Sequence, residues 1–325
     1  SATSGFSAGA KHMNQAWSSP WGFWAVPVLP ATATSSRPAA LPVPSATVSS
    51  MARRTQARSR SLYGRGYYLE PCYGGWRLGD RFFRCWRSAG HGSISHAGAL
   101  IESCDTYYYQ LGRRLELDQL AAAARTLGLG RTCTTIFADE AEGNVPDTAW
   151  YNRRFGEGKW TRGVLLNNSI GQGELLVTPI QMALLAARLG TSGRTPDPVF
   201  VIHPRRESRP PEPLPFSERD LAWVRRAMEL TVAEGTGKAA RLEEVAVSGK
   251  TGTAQNPHGE DHAWFMCFAP AENPEVALAV IVENAGHGSS EAAPVAGRWL
   301  RSYFAVDDSL TGYPASVTVK RRPGG

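Results

Sequence analysis

Two short stretches carry the residue types from which acyl-transfer chemistry is built. Lys250-Thr251-Gly252-Thr253 follows the β-prone run Glu244 to Ser248, which places the lysine at a strand edge. A cation there holds a substrate carboxylate, and Gly252, lacking a side chain, lets an extended peptide lie along the strand as an added one. The backbone N–H after such a turn helps build an oxyanion hole. The second stretch, Ser103-Cys104-Asp105, sets a hydroxyl and a carboxylate two residues apart at the entry of the helix Thr106-Tyr-Tyr-Tyr-Gln-Leu. Facing a cleft, one would shuttle a proton and the other position a cation. Facing the helix, they would be a capping pair. Neither stretch is specific alone.

A third set of residues suggests a metal. Five cysteines stand at 72, 85, 104, 133 and 267, and three of them lie within 33 residues with His91 between: Cys72-x12-Cys85-x5-His91-x12-Cys104. Three thiolates and one imidazole are the donor set of a closed tetrahedral zinc site. Disulfide pairing would leave one of the three without a partner or require Cys133 or Cys267. The spacing is looser than a zinc finger's, and scattered buried cysteines beside a hydrogen-bonded histidine give the same pattern. Both readings stand at this point. Cys267, inside Trp264-Phe-Met-Cys-Phe, reads as core, and His258 and His262 read as surface or hydrogen-bonded histidines rather than ligands.

The elements that must position these residues follow from pattern and punctuation. Ala97 to Arg114 has the apolar spacing of a helix, and Leu117 to Leu127 forms a second one ended by Gly128 and Gly130. Pro179 to Leu189 is a third, with Thr178 as N-cap and Pro179 at the first helical position. Ser217 opens a fourth over Glu218 to Glu234. Strands come late, at Ala263 to Ala269 and Val276 to Glu283 around the Pro270 to Pro274 turn, and Ala292 to Phe304 closes as a helix. Helices first, then hairpin-linked strands, predict an α+β fold with an antiparallel sheet.

The 325 residues carry a net charge of +6 and are 42% hydrophobic, enough for a real core. The arginines are scattered rather than set in a stripe with aromatics, which argues against a nucleic-acid partner. No run reaches the ~20 apolar residues of a membrane span. Trp21 to Ala31 is too short and is interrupted by Pro27 and Pro30. The chain opens on Ser1, which leaves room for an anchor upstream. Composition changes sharply near residue 67. Residues 1–67 are rich in Ser, Ala, Pro, Thr and Arg and have neither helical nor strand periodicity. Residues 68–306 read as the packed domain, and 307–325 as a tail.

Two longer stretches carry a family resemblance. Val247-Ser-Gly-Lys-Thr-Gly-Thr-Ala-Gln-Asn-Pro-His-Gly-Glu-Asp-His-Ala-Trp-Phe resembles the Lys-Thr-Gly strand of the penicillin-binding transpeptidases. Asn168-Ser-Ile-Gly-Gln-Gly-Glu-Leu-Leu-Val-Thr-Pro-Ile-Gln-Met-Ala is similar to the same family's helix before the sheet. Ser103-Cys-Asp105 matches the Ser-x-Asp of the elongation-type class B subgroup, penicillin-binding protein 2. The resemblance covers about residues 70 to 304. It implies the penicillin-binding fold and D,D-transpeptidation: a serine attacks the D-Ala-D-Ala bond of a peptidoglycan stem peptide, and the acyl-enzyme passes to a neighbouring amine. β-Lactams would acylate the same serine. Lys250, Thr251 and Thr253 would bind the terminal carboxylate with the Thr253 N–H in the oxyanion hole, Ser103 would relay protons, and Asp105 would help orient the catalytic lysine. The subgroup can also hold zinc, with ligands at the positions matching Cys72, Cys85, His91 and Cys104. It also implies a bacterial cell-envelope location outside the cytoplasmic membrane and a SEDS-type glycan polymerase as partner.

One motif is missing. The family's nucleophile lies in Ser-x-x-Lys, where one helical turn brings the amine against the hydroxyl. Three residues before the five lysines stand Ala8, Gly156, Gly235, Val247 and Val317, so no Ser-x-x-Lys exists in the chain. The nearest shape is Ser50-Met-Ala-Arg53, whose guanidinium does not act as a base. The abrupt change near residue 67 is expected to reflect a shifted reading frame or misassembly. Arg37-Pro-Ala-Ala40 fits GC-rich codons of the family's Pro-Pro-Gly-Ser read one base over.

Overall fold

The computed structural model describes the strand Trp21–Pro27 and residues 69–133, 139–195 and 213–304. Its strands are β1 (Trp21–Pro27), β2 (Gly75–Leu78), β3 (Arg81–Arg84), β4 (Ser248–Ala254), β5 (His262–Ala269) and β6 (Val276–Val282). The main sheet is antiparallel in the order β1-β6-β5-β4, and β2 and β3 form a separate hairpin. Among the described residues no helix is long and apolar enough to cross a membrane.

β6 is apolar throughout because both of its faces are covered. Val276, Leu278, Val280 and Val282 pack with Ala292, Val295 and Leu300 of the helix Ala292–Tyr303. Ala277 and Ala279 face the other way, toward the helix Pro179–Thr191. Full burial of each such Val or Leu is worth about 1.5–3 kcal/mol. Cys267 is fully buried in the first of these layers, as its sequence setting predicts. The helix Pro179–Thr191 begins at the expected cap: Thr178 and Gln181 form a capping box, with Pro179 in the first turn. Ser217 likewise accepts from Asp220 N–H and starts the helix Glu218–Ala233.

Four features differ from the sequence reading. The helix expected over Ala97 to Arg114 is two helices, His96–Ile101 and Asp105–Gly112, interrupted at Glu102-Ser103-Cys104. In a continuous helix the Glu102 carbonyl would accept from Thr106 N–H. Here it accepts from the Trp86 indole at 3.0 Å instead. The strand expected at Glu244 to Ser248 begins only at Ser248 and carries the Lys-Thr-Gly-Thr run itself. The β2–β3 hairpin and the helices Thr148–Phe155 and Gly163–Ser169 were not anticipated. Finally, one stretch of the upstream segment enters the sheet: Trp21↔Val282 through Pro27↔Val276 pair along β6. Aromatic and β-branched residues favour such a strand, and Pro27 is tolerated because β1 is an edge strand. The rest of residues 1–67, Ser50 included, and the tail from 305 lie outside the described residues.

Candidate active site and metal-ligand cluster

The break between the helices His96–Ile101 and Asp105–Gly112 sets the site. Ser103 sits in it with φ of 53°, a left-handed backbone that L residues seldom adopt. This turns its hydroxyl toward β4, where Lys250 Nζ donates to Ser103 Oγ across 147 residues of sequence. Lys250 Nζ also donates to Thr251 O at 2.8 Å. The sequence reading missed the residue that closes the ring. Thr236 Oγ1 lies 2.7 Å from Thr251 Oγ1 and 3.5 Å from Ser103 Oγ, and it donates to Ile101 O at 3.4 Å. Thr236 stands between Gly235 and Gly237 just past a helix end, and that polar residue between two glycines was its only signal.

Asp105 opens its helix at the positive end of the helix dipole. Its Oδ2 accepts from the backbone N–H of Trp86 at 2.8 Å, so its hydrogen bond runs to the segment just after β3 rather than to Lys250. Burial pushes Asp105 up to about 6, against the Trp86 N–H and the Lys250 charge, which pull it down. Burial also brings Lys250 down to about 8, opposed by the nearby Asp105 charge.

Among the described residues β4 is a free edge of the sheet, with Thr251↔Phe265, Gly252↔Trp264 and Thr253↔Ala263 paired on its inner side. Gly288 N–H donates to Thr253 Oγ1 at 3.4 Å, holding the hydroxyl end of the motif. His258 is exposed in the loop beyond the strand, and His262 Nδ1 accepts from Asn284 N–H at 3.1 Å, so neither joins the site.

The four candidate metal ligands converge. The β2–β3 hairpin brings Cys72 and Cys85 together, with His91 N–H on Cys72 O at 3.0 Å. The turn between requires Gly90: its φ is 77°, and a Cβ there would stand 2.1 Å from Cys72 O. The ligand atoms of Cys72, Cys85, His91 and Cys104 all lie within 4.8 Å of one another. Cys85 Sγ is 3.6 Å from His91 Nδ1. Zn–S and Zn–N bonds of about 2.3 and 2.0 Å meeting at a tetrahedral angle give an S···N edge of about 3.5 Å, close to this spacing, so the four residues fit that group. The neighbouring Cys104 side chain holds the Cys85 thiol well below the usual thiol range, and Cys85 in turn pushes Cys104 up. Cys104 lies between Ser103 and Asp105, so cluster and site share one turn.

Residues 67–301 match the model of the penicillin binding protein transpeptidase domain. The peptidoglycan D,D-transpeptidase MrdA of Acinetobacter baumannii is 34% identical over 244 residues, 67% of this chain and 36% of that protein. The chain spans less than half the length of the curated relatives it matches. The crystal structure of Pseudomonas aeruginosa PBP2 in complex with WCK 5153 is similar with a TM-score of 0.65 at 30% identity, over 81% of this chain and 60% of that one. The complex between PBP2 and MreC from Helicobacter pylori gives a TM-score of 0.67 at 27% identity, over 80% and 49%. The mixed helical and antiparallel architecture is the one these structures have.

Proposed function

The chain belongs to the penicillin-binding protein transpeptidase family, in its PBP2-type class B branch, and from that premise we propose that it is the cross-linking domain of a peptidoglycan D,D-transpeptidase of cell-wall elongation. The observation that carries this reading is the bond from Lys250 Nζ to Ser103 Oγ, which joins the two motifs into one polar ring with Thr236 and Thr251. The Lys250 ammonium, with the Thr251 and Thr253 hydroxyls, receives the terminal carboxylate of a D-Ala-D-Ala stem peptide. Thr253 N–H on the free edge of β4 stabilises the oxyanion of the attacked carbonyl. Ser103 passes a proton between the lysine and the reacting groups, and Asp105 favours the charged lysine through its field. β-Lactams, as mimics of the substrate, are received by the same groups.

The acyl-carrying serine is the open element, because the chain contains no Ser-x-x-Lys. This favours a second reading, a non-catalytic penicillin-binding fold acting as scaffold or sensor. Labelling with a fluorescent penicillin, followed by mass spectrometry of the adduct, separates the two. An adduct on a serine in residues 30 to 60 supports the enzyme. A folded chain without label supports the scaffold. The coding DNA adds an independent check: Ser-x-x-Lys in a neighbouring frame upstream of residue 67 supports a frame shift, and its absence from every frame rejects one.

We propose further that Cys72, Cys85, His91 and Cys104 hold a structural zinc, supported by their donor set and convergence. When bound, the ion supplies a cross-link between the hairpin and the Ser103–Asp105 turn and takes no part in the chemistry. The reading places the domain in the bacterial cell envelope, outside the cytoplasmic membrane, with a SEDS-type glycan polymerase as partner. The Helicobacter pylori PBP2 solved in complex with MreC supports a multiprotein assembly for this chain too.

A further inference from the structure

Among the described residues β4 pairs with β5 on one side only, and its outer side is where an extended peptide would add. The N–H and C=O of a strand residue point to the same side and alternate along the chain. The outer edge therefore presents Thr251, Thr253 and Gln255. Two of its groups are already taken by one side chain: Gln172 Nε2 donates to Thr253 O at 2.6 Å, and Gln172 Oε1 accepts from Gln255 N–H at 3.2 Å. One carboxamide thus supplies a donor and an acceptor to the edge, as the backbone of an added strand would.

We propose that Gln172 is a gate on the peptide-binding edge, a built-in stand-in that an incoming stem peptide must displace from Thr253 O and Gln255 N–H. The proposal rests on the reading that a peptide adds to β4. Gln172 sits between Gly171 and Gly173, both with positive φ (78° and 80°), and its own N–H is held by Asn167 O at 2.9 Å. Its backbone is pinned while the side chain is only half-buried, so opening requires rotation about side-chain bonds alone. A ligand that reaches only Lys250 leaves the gate closed. A peptide long enough to pair with Thr253 and beyond opens it. Gln172 thereby sets the minimum length of a ligand that gains from the strand edge.

The test compares two probes, acetyl-D-alanine and a D-Ala-D-Ala-terminated stem pentapeptide, on the full chain and on its Gln172→Ala and Gln172→Glu variants, by NMR titration. Thermal midpoints confirm that each variant is folded. Glu retains the acceptor for Gln255 N–H but sets an oxygen against Thr253 O, so it releases one of the gate's two bonds, and Ala releases both. Gln172→Glu is expected to bind the pentapeptide about fivefold to tenfold more tightly, the worth of one hydrogen bond no longer displaced, and Gln172→Ala more tightly still, with acetyl-D-alanine unchanged. Equal or weaker pentapeptide binding by folded variants, with the parent chain still binding, overturns the gate and leaves the strand-addition reading intact. Binding of neither probe by any of the three chains overturns that reading and the gate with it.

Discussion

The backbone N–H of Trp86 donates to the Asp105 carboxylate at 2.8 Å, each residue directly following a cysteine of the metal-ligand cluster. The indole of the same Trp86 donates to Glu102 O at 3.0 Å, so one residue grips both ends of the turn that presents Ser103. Trp86→Phe keeps the backbone bond and removes the second. The residue is 54% exposed, so little core is lost. The expected cost is about 1 kcal/mol, the usual net worth of a hydrogen bond, read from urea unfolding. A loss within error of zero would mean the indole bond does not hold the turn.

Zinc content gives the second prediction. The purified chain is expected to carry one zinc, measured by inductively coupled plasma mass spectrometry, and chelation is expected to lower its thermal midpoint by several degrees, because an ion that binds only the folded state stabilises it. Cys104→Ser is expected to lose both the zinc and the chelator sensitivity. A zinc-free chain whose midpoint ignores added zinc would reject the metal reading.

Lys250 makes two opposite pH effects. Its folded value of about 8 lies below the unfolded 10.5, so the unfolded chain holds more protons between those values. The group's contribution to stability therefore rises with pH across that window, and its full penalty is present below about 8. Carboxylate binding runs the other way, weakening as pH climbs through 8 and the ammonium is lost. Titrating acetyl-D-alanine from pH 6 to 10 checks this, and Lys250→Arg, which stays charged, is expected to flatten the profile.

Local signals marked much of this architecture, and long-range ones marked little of it. Thr178, Pro179 and Ser217 announce helix starts because a cap is satisfied within three residues. The β-rich run Val276 to Glu283 announces a strand, which the structure buries on both faces. The residue types of the site were also legible: Lys250, Ser103 and the Cys/His set each stand in a recognisable run. What joins them was not. The helix break at Ser103 is imposed by Trp86 from 16 residues away, and Thr236 and Gln172 reach the site from 15 and 81 residues distant. No periodicity encodes such contacts.

Gly288, in the turn after β6, and Gly252, on β4, separate fold from function. A Cβ at Gly288 would stand 2.3 Å from both Gly252 O and Trp264 O, backbone atoms that cannot step aside. Gly288→Ala is expected to cost about 1–3 kcal/mol, as overpacking does, and to free the Thr253 hydroxyl. A Cβ at Gly252 meets only the Trp264 Cβ, at 3.3 Å. Gly252→Ala is therefore expected to stay folded within about 1 kcal/mol while weakening stem-peptide binding, since the added methyl occupies the strand the peptide lies against. Paired denaturation and titration experiments test both, and equal stability losses would contradict the assignment.

Ser103 tests whether the site stores strain. Its left-handed backbone should cost about 1 kcal/mol for a residue with a Cβ and almost nothing for glycine. Ser103→Ala and Ser103→Gly both remove the hydroxyl that Lys250 holds, so the loss of that bond cancels between them. The Gly variant is then expected to be more stable than the Ala variant by about 1 kcal/mol, the reverse of their order in a regular helix. If Ala proves the more stable, the turn is not held in the left-handed region in solution, and the Lys250–Ser103 contact that depends on it would not form.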